Sequence, residues 1–229
     1  MNVLHVDNHL LVVVKPAGLP CVPDSSEDES LLDRGKAWVK REFDKPGAVF
    51  LGVVHRLDRP VSGVVVFART SKAAARLSKA FADQRVAKSY VALGLRPSRE
   101  PRGAVEHWLR KDRERNRVSV VPKGTAEAKL ARTEFEASNY RSRTGGAEME
   151  RARFELRPQT GRSHQLRVAC ASLGSPLLGD LRYGAAEPLT DKSIALHARR
   201  LELEHPTTRE TLTFEAGLPD RPWWREAFG

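Results

Sequence analysis

The stretch VVHRLDRPVSGVVVFART, residues 53–70, places a single carboxylate, Asp58, between two apolar runs that are typical of buried strands. Pro60 and Gly63 indicate a turn between the runs. Strands on both sides would hold that turn rigidly, which suits a positioned catalytic group. Aspartate also commonly bonds its own backbone in turns, and composition alone favours that structural interpretation.

The basic neighbours of Asp58 weigh against a purely structural role. Arg56 and Arg59 lie within two residues of it. A nearby guanidinium keeps a carboxylate ionised at neutral pH, as a nucleophile must be. The segment therefore raises the hypothesis of a catalytic acid in a basic surrounding.

The overall charge favours a polyanionic partner. The 229 residues include 39 Lys and Arg against 29 Asp and Glu, which gives a net charge of +10 and a pI near 10. Nucleic acid is the first candidate and an acidic membrane surface the second, while a basic enzyme without either partner remains a competing interpretation. With 40% hydrophobic residues, the chain is long enough to bury a core as one large domain or two small ones.

The two cysteines, Cys21 and Cys170, are too few for a secreted disulfide scaffold, so we expect free thiols in the cytoplasm. The N-terminus has no basic segment ahead of a long apolar stretch, so no signal peptide is expected. The apolar run LLVVV is too short to span a bilayer. We expect no membrane association.

Strand patterns outnumber helix patterns and mostly form hairpins, which predicts an α+β fold with a mixed, largely antiparallel sheet flanked by helices. Predicted strands are Leu10–Val14, VFLGVV (49–54), GVVVFA (63–68), SYVALGL (89–95), Val118–Val121, LARTEFEASNY (130–140), EMERARFELRP (148–158) and a final hairpin over 199–216. The segment RSRTGGA (141–147) is expected to be a turn, and Arg96–Thr125 is polar and basic apart from its short strand.

Three helices are predicted from apolar spacing and capping residues. The first follows Ser30 as N-cap, with Leu31, Leu32, Trp38 and Phe43 on one face. The second is SKAAARLSKAFADQ (71–84), and the third is SHQLRVACASLG (163–174), with Ser163 as cap and Gly174 as the C′ residue.

Basic residues surround the predicted start of the third helix. Arg162 and Arg167 bracket Ser163, His164 and Gln165. A helix N-terminus of this kind can receive a phosphate or a carboxylate. A solvated basic turn before a core helix is the alternative.

Nothing in the sequence indicates a cofactor or a metal. GSPLLGDLRYG (174–184) is rich in glycine but matches neither dinucleotide nor P-loop patterns. His5 and His9 lie in a strand-like segment, where a spacing of four makes no helical metal pair, and there is no paired-cysteine or HExxH motif.

Five segments, in order, resemble the motifs of the RluA family of RNA pseudouridine synthases. HRLDRPVSG (55–63) is similar to the signature HRLDxxTSG, with Val61 in place of Thr. The other four are VVVKPAGL (12–19), KSYVAL (88–93), TGRSHQLRV (160–168) and GSPLLGDLRYG. The terminal LHARRLELEHP fits as well, whereas Ala169-Cys170 departs from the family pattern.

The resemblance implies isomerisation of uridine to pseudouridine in RNA, without cofactor or metal. Asp58 would be the nucleophile or base, Tyr90 would stack on the flipped uracil, and Arg167 or alternatively Arg162 would pair with Asp58. Arg56 would fill the gap that the flipped base leaves in the RNA stack. The implied RNA-binding set is His55, Arg56, Arg59, Lys88, His164 and Gln165.

The resemblance further implies a pseudouridine synthase catalytic domain over residues 1–229 that resembles short family members without an S4 RNA-binding domain. We expect a cytoplasmic monomer that acts on tRNA, large-subunit rRNA or both. Two other functions remain open: an RNA-binding or chaperone protein of the same fold without turnover, and a hydrolase that uses Asp58 with a second acid such as Asp180.

Overall fold

The computed structural model describes residues 1–143 and 148–229. The elements in these ranges are β1 Asn2–Val6, β2 Leu10–Lys15, α1 Leu31–Glu42, β3 Gly52–Val53, β4 Ser62–Ala68, α2 Ser71–Ala82, β5 Ala87–Leu93, β6 Arg102–Asp112, β7 Arg117–Val121, β8 Lys129–Ser142, β9 Met149–Pro158, α3 Gln165–Ser172, β10 Leu196–Glu204, β11 Thr211–Glu215 and α4 Pro222–Phe228.

The described residues form two compact units, neither of them continuous in sequence. The first unit comprises Met1–Lys88 and Ala198–Gly217, and the second comprises Ser89–His197 and Leu218–Gly229. Strands β5 and β10 each begin in one unit and end in the other.

The sheet of the first unit has the strand order β1-β2-β4-β10, with β3 on β4 and β11 on β10. β2 and β4 pair antiparallel, with Val13 opposite Val65. Both strands are apolar at nearly every position because both faces of the sheet are covered here. One face packs on Leu77 of α2 within the core cluster.

The helices of the first unit begin where predicted. Ser30 caps α1 in a capping box with Asp33, and Thr70 caps α2. The predicted α1 face is partly wrong, since Val39 lies in the core while Phe43 is exposed. The predicted strand VFLGVV shortens to the two residues of β3.

The second unit contains the antiparallel order β5-β9-β8-β6-β7. The eleven-residue strand β6 was not predicted, because most of its positions are exposed and its sequence lacks an alternating apolar pattern. The predicted turn 141–147 extends into residues 144–147, which lie outside the described residues.

The helix α3 begins two residues later than the predicted cap. His164 occupies the N-cap position in the left-handed region, at φ 52°, and gives no side-chain cap, so the prediction of Ser163 as cap is wrong. Gly174, at φ 79°, follows the C-cap Leu173 and confirms the predicted helix end. The helix α4 was not predicted from the sequence.

The predicted α+β class with a mixed, largely antiparallel sheet is confirmed. The named pairings are antiparallel, and the final hairpin forms as β10 and β11. None of the helices in the described ranges has the length and apolar character needed to cross a membrane.

Candidate active site

The loop that carries Asp58 is anchored through the main chain of the next residue, Arg59. The carbonyl oxygen of Arg59 accepts a hydrogen bond from Nζ of Lys15 at 3.0 Å and another from the backbone N–H of Gly18 at 2.8 Å. Lys15 ends β2, so the loop is attached to a buried strand. This attachment fixes the backbone beside the carboxylate.

Two further contacts hold the same loop. The backbone N–H of Leu57 donates to Sγ of the buried Cys21 at 3.3 Å. The N–H of Val61 donates to the carbonyl oxygen of Asp58 at 3.0 Å, which closes a turn. Asp58 itself is half-buried.

Lys15 is a fully buried cation beside this loop. Its Nζ also donates to the carbonyl oxygens of Leu19 at 2.6 Å and Pro16 at 3.0 Å. Burial lowers the pKa of Lys15 to about 8, and the charge of Asp58 is among the effects that oppose this lowering. The Asp58 carboxylate therefore lies within the electrostatic reach of an internal ammonium group.

The guanidinium of Arg59 is bound by its own chain. It donates to the carbonyl oxygen of Gly18 at 3.0 Å and to Oγ of Ser26 at 2.9 Å, and it forms an ion pair with Asp28. The acidic loop DSSEDES, residues 24–30, thus supplies the hydroxyl and carboxylate partners of this side chain. Arg56, in contrast, is exposed and has no hydrogen bond or ion pair with the residues that the structure describes.

His55 is half-buried and neutral. Its ring stacks on Phe81 with a centroid distance of 4.6 Å, and Nε2 accepts a hydrogen bond from the N–H of Val66 at 3.0 Å. Burial lowers the pKa of His55 to about 3, with a contribution from the nearby charge of Lys88. Burial also lowers the pKa of Lys88. These contacts attach the start of the loop to α2 and β4.

In the second unit, Arg167 forms a buried ion pair with Asp180. Nε donates to Oδ2 and Nη2 donates to Oδ1, each at 2.7 Å. The guanidinium carbon lies 5.0 Å from the ring centroid of Tyr183. A bidentate pair of this kind fixes the plane of the guanidinium.

Tyr183 links this ion pair to the start of α3. Its hydroxyl accepts from the N–H of Val118 at 2.9 Å and lies 2.7 Å from Nδ1 of His164. The tautomer of His164 decides whether the hydroxyl donates to Nδ1 or accepts from it. Burial raises the pKa of Tyr183, so the phenol stays protonated at neutral pH.

Gln165 is a structural residue of the same unit. Its Oε1 accepts from Oγ1 of Thr160 at 2.7 Å, and its Nε2 donates to Oγ1 of Thr133 at 2.9 Å. Arg162 is exposed and donates through Nε to the carbonyl oxygen of Leu130 at 3.0 Å. Tyr90 is half-buried in β5, opposite Leu156 of β9.

The predicted residues therefore fall into two groups. His55, Arg56, Asp58, Arg59 and Lys88 belong to the first unit, and Tyr90, Arg162, His164, Gln165 and Arg167 belong to the second. Both cysteines are free and buried, and the described ranges contain no cluster of His, Cys, Asp and Glu suited to a metal ion.

Sequence reasoning gave no role to Lys15 or Tyr183 and assigned Asp180 only to the hydrolase alternative. All three lie in segments that match family motifs, and that match was the available signal. A lysine directly after five apolar residues is a second signal, because a strand buried on both faces carries its last side chain into the interior.

Comparison with known proteins agrees with these motifs. A family model described as RNA pseudouridylate synthase matches residues 9–172. The dual-specificity RNA pseudouridine synthase RluA of Escherichia coli strain CFT073 is 36% identical over 217 residues, which cover 93% of this chain and 91% of that protein. The uncharacterized RNA pseudouridine synthase YhcT of Bacillus subtilis is 34% identical over 225 residues, which cover 96% of this chain and 69% of that protein.

Two solved human structures share the fold. RNA pseudouridylate synthase domain containing 4 superposes with a TM-score of 0.76 at 26% identity, over 96% of this chain and 89% of that chain. RNA pseudouridylate synthase domain containing 1 gives a TM-score of 0.72 at 25% identity, over 97% of this chain and 85% of that chain.

Proposed function

The chain belongs to the RNA pseudouridylate synthase family and is a pseudouridine synthase, and from this premise we propose that Asp58 is its catalytic nucleophile or base. The observation that supports this role is the anchoring of the loop. The Arg59 carbonyl is bound by both Lys15 and Gly18, so the half-buried carboxylate next to it is held in a defined place. Catalysis requires this preorganisation, since misplacement by about 1 Å can cost about 100-fold in rate.

In the proposed reaction, the N1–C1′ glycosidic bond of the target uridine breaks, the uracil rotates, and C5 bonds to C1′. The proton on C5 leaves and N1 gains one, so the product is an isomer of the substrate. No electron transfer occurs, and we propose that no cofactor or metal takes part. Asp58 acts on the nucleoside, and Tyr90 stacks on the uracil.

The target base must leave its stack before it can react, at an expense of a few kcal/mol. We propose that Arg56 replaces it there. Its exposed guanidinium is planar, and it is not engaged by the residues that the structure describes. Arg59 is already paired with Asp28 of the acidic loop, so it is less available than Arg56 for a direct contact with RNA.

The guanidinium that supports Asp58 is proposed to be Arg167 and not Arg162. Arg167 is buried and oriented by Asp180, whereas Arg162 is exposed. The pairing also bears on the hydrolase alternative, because both carboxylate oxygens of Asp180 already accept hydrogen bonds from the Arg167 guanidinium.

The substrates we propose are tRNA, large-subunit rRNA or both, in the cytoplasm, for a monomer that acts as one catalytic domain over residues 1–229. The RluA relative is described as dual-specificity, which supports both RNA classes. The hairpin of β6 and β7 presents basic side chains that we propose contact phosphates. We propose His55, Lys88, His164 and Gln165 as further RNA-binding residues.

The Asp58→Asn protein tests the proposal. We expect pseudouridine formation to fall to background, because the amide cannot act as a nucleophile or base, while the affinity for RNA changes less than threefold. Tritium release from RNA labelled at uridine C5 measures turnover, and filter binding measures affinity.

Asp44→Asn is the matched control, because it removes the same charge from an exposed residue whose φ of 45° asparagine tolerates well. Normal turnover by Asp58→Asn would contradict the role of Asp58. RNA binding by wild type without turnover on tRNA or rRNA would favour the chaperone function, and release of free uracil would favour the hydrolase.

A further inference from the structure

A basic cavity of about 160 Å³ lies in the first unit, between the second half of α2 and the turn that joins β10 to β11. Its charged lining consists of four cations and one carboxylate, namely Arg76, Lys79, Arg85, Arg209 and Glu204. Two chain segments far apart in sequence supply the cations, α2 with the residues directly after it and the β10–β11 turn, so no single helix face explains their convergence.

Part of the cavity lining belongs to the hydrophobic core, namely Leu77 and Ala80 of α2. Arg76 is fixed beside them, because its Nη1 donates to the carbonyl oxygen of the buried Pro206 at 2.6 Å. This is its only hydrogen bond to the described part of the chain, so the other guanidinium N–H groups remain for an acceptor.

Arg209 reaches the cavity from an unusual backbone conformation. Its φ of 69° lies in the left-handed region, which favours glycine or asparagine over a long side chain. The turn is organised by His205, whose Nδ1 accepts from the N–H of Thr208 at 2.9 Å. The backbone conformation of the turn therefore does not explain an arginine at residue 209, which indicates that its side chain has a role of its own.

Carboxylates neutralise only part of the positive charge. Glu204 accepts from Nη1 of Arg209 at 2.6 Å, and Asp83 lies 3.3 Å from Arg85 and 4.0 Å from Lys79. Four cations thus face two carboxylates. Lys79 lies in the last turn of α2, where a cation stabilises the helix through its dipole. This effect does not explain Arg76 or Arg209.

We propose that this cavity binds a phosphate of the RNA backbone and serves as a docking contact for the substrate. The proposal rests on the proposed function, because RNA is the polyanion that this enzyme has to hold. Guanidinium groups bind phosphate oxygens through paired N–H donors, and Arg76 is already oriented for such a bond. The contact positions the RNA and carries no sequence preference.

The test removes two cavity charges without disturbing the fold. Lys79 and Arg209 are exposed, and asparagine suits the backbone of residue 209, so the variant is Lys79→Gln/Arg209→Asn. The matched control, Lys40→Gln/Arg41→Gln, removes two positive charges from the exposed end of α1. Affinity for unfractionated tRNA and for large-subunit rRNA is measured from 50 to 300 mM KCl.

We expect the slope of log affinity against log salt concentration to become shallower by about one for the cavity variant and to stay at the wild-type value for the control. At saturating RNA, the cavity variant keeps the single-turnover rate of pseudouridine formation and needs more RNA for half-saturation. Equal slopes for the two variants, or no RNA binding by wild type, would overturn the proposal.

A second arm separates the two sources of phosphate. Inorganic phosphate is titrated into the wild-type protein while the guanidinium NMR signals of Arg76 and Arg209 are followed. Weak binding of phosphate together with shifts on adding RNA supports a backbone contact. Saturation below 1 mM phosphate with equal salt slopes would identify a small-anion site instead. Absence of turnover by wild type overturns the proposed function alone, because the slopes decide the cavity independently.

Discussion

At the scale of single residues, the buried Lys15 explains how an acid can be held at a fixed place in a loop. Its ammonium group donates to three carbonyl oxygens, including that of Arg59 next to the proposed catalytic residue. A buried charge is tolerated only with such partners. Lys15 thus fixes the main chain through these hydrogen bonds, and its charge also stabilises the negative charge of Asp58.

The lowered pKa of Lys15 predicts a pH dependence of stability. The unfolded lysine keeps its proton to about its ordinary pKa of 10.5, whereas the folded one loses it above about pH 8. Between these values the unfolded state binds more protons, so the free energy of unfolding gains up to about 3 kcal/mol from this group as the pH rises. Below about pH 8 Lys15 is protonated in both states, so it does not change the free energy of unfolding as the pH varies.

NMR of ¹³Cε-labelled lysine measures this titration directly. We expect a lysine signal that titrates near pH 8 and is missing from the spectrum of Lys15→Met. If every lysine signal in the wild-type spectrum moved only above pH 9.5, the proposed state of Lys15 would be wrong.

In the second unit, the buried charges of Arg167 and Asp180 are likewise satisfied by polar partners within the protein. Each charge is buried, and both carboxylate oxygens of Asp180 accept from the guanidinium. Tyr183 covers the pair and bonds to His164 at the start of α3. Asp180 and Tyr183 thus orient Arg167, the arginine that we propose supports Asp58.

At the scale of elements, Gly63 decides how closely β4 and β10 approach. Its φ is 126°, and a Cβ at this position would lie 2.3 Å from the carbonyl oxygen and 2.5 Å from the nitrogen of Ala198. Both are backbone atoms that cannot rotate away. Strand packing therefore requires the glycine that ends the motif HRLDRPVSG.

We expect Gly63→Ala to destabilise the protein by about 3 kcal/mol or more, from the clash and from the strained φ together. Urea unfolding measures the change. Gly47→Ala serves as the control, since a Cβ there meets nothing within 4 Å, and its effect should stay within about 0.5 kcal/mol. Similar stabilities for the two variants would show that β4 and β10 can move apart without loss.

At the scale of the whole molecule, the units are interleaved in sequence. The core of the first unit includes Leu201, Leu203 and Phe214, which follow the long segment Ser89–His197 of the second unit in the chain. Burying these three side chains contributes on the order of 6 kcal/mol, comparable to the total stability of an ordinary domain. This supports our proposal that residues 1–229 form one catalytic domain.

A fragment of residues 1–88 tests that proposal. Without β10 and β11 it exposes the core face of the sheet, and we expect no cooperative unfolding by circular dichroism and little dispersion in its ¹H–¹⁵N spectrum. The matched protein joins residues 198–217 to the fragment through a flexible linker and should regain cooperativity. A fragment 1–88 that unfolds cooperatively by itself would contradict the single-domain proposal.

The sequence by itself determined the family, the α+β class and most elements, because their signals are local. Alternating or continuous apolar runs predict β2, β4, β8 and β9, and capping chemistry predicts the start of α1. Where the local signal was weak, prediction failed. β6 is exposed along most of its length and has no alternating apolar pattern, and the start of α3 depends on the left-handed conformation of His164.

Only the tertiary structure decided which charges are engaged and which are exposed. Arg59 and Arg56 have the same chemistry in the sequence, yet the acidic loop binds one and solvent surrounds the other. In the same way, Asp180 binds Arg167 in the interior, whereas Arg162 is exposed. Ion pairs and cavities join residues far apart in the chain, as at α2 and the β10–β11 turn, and no local pattern records such distances.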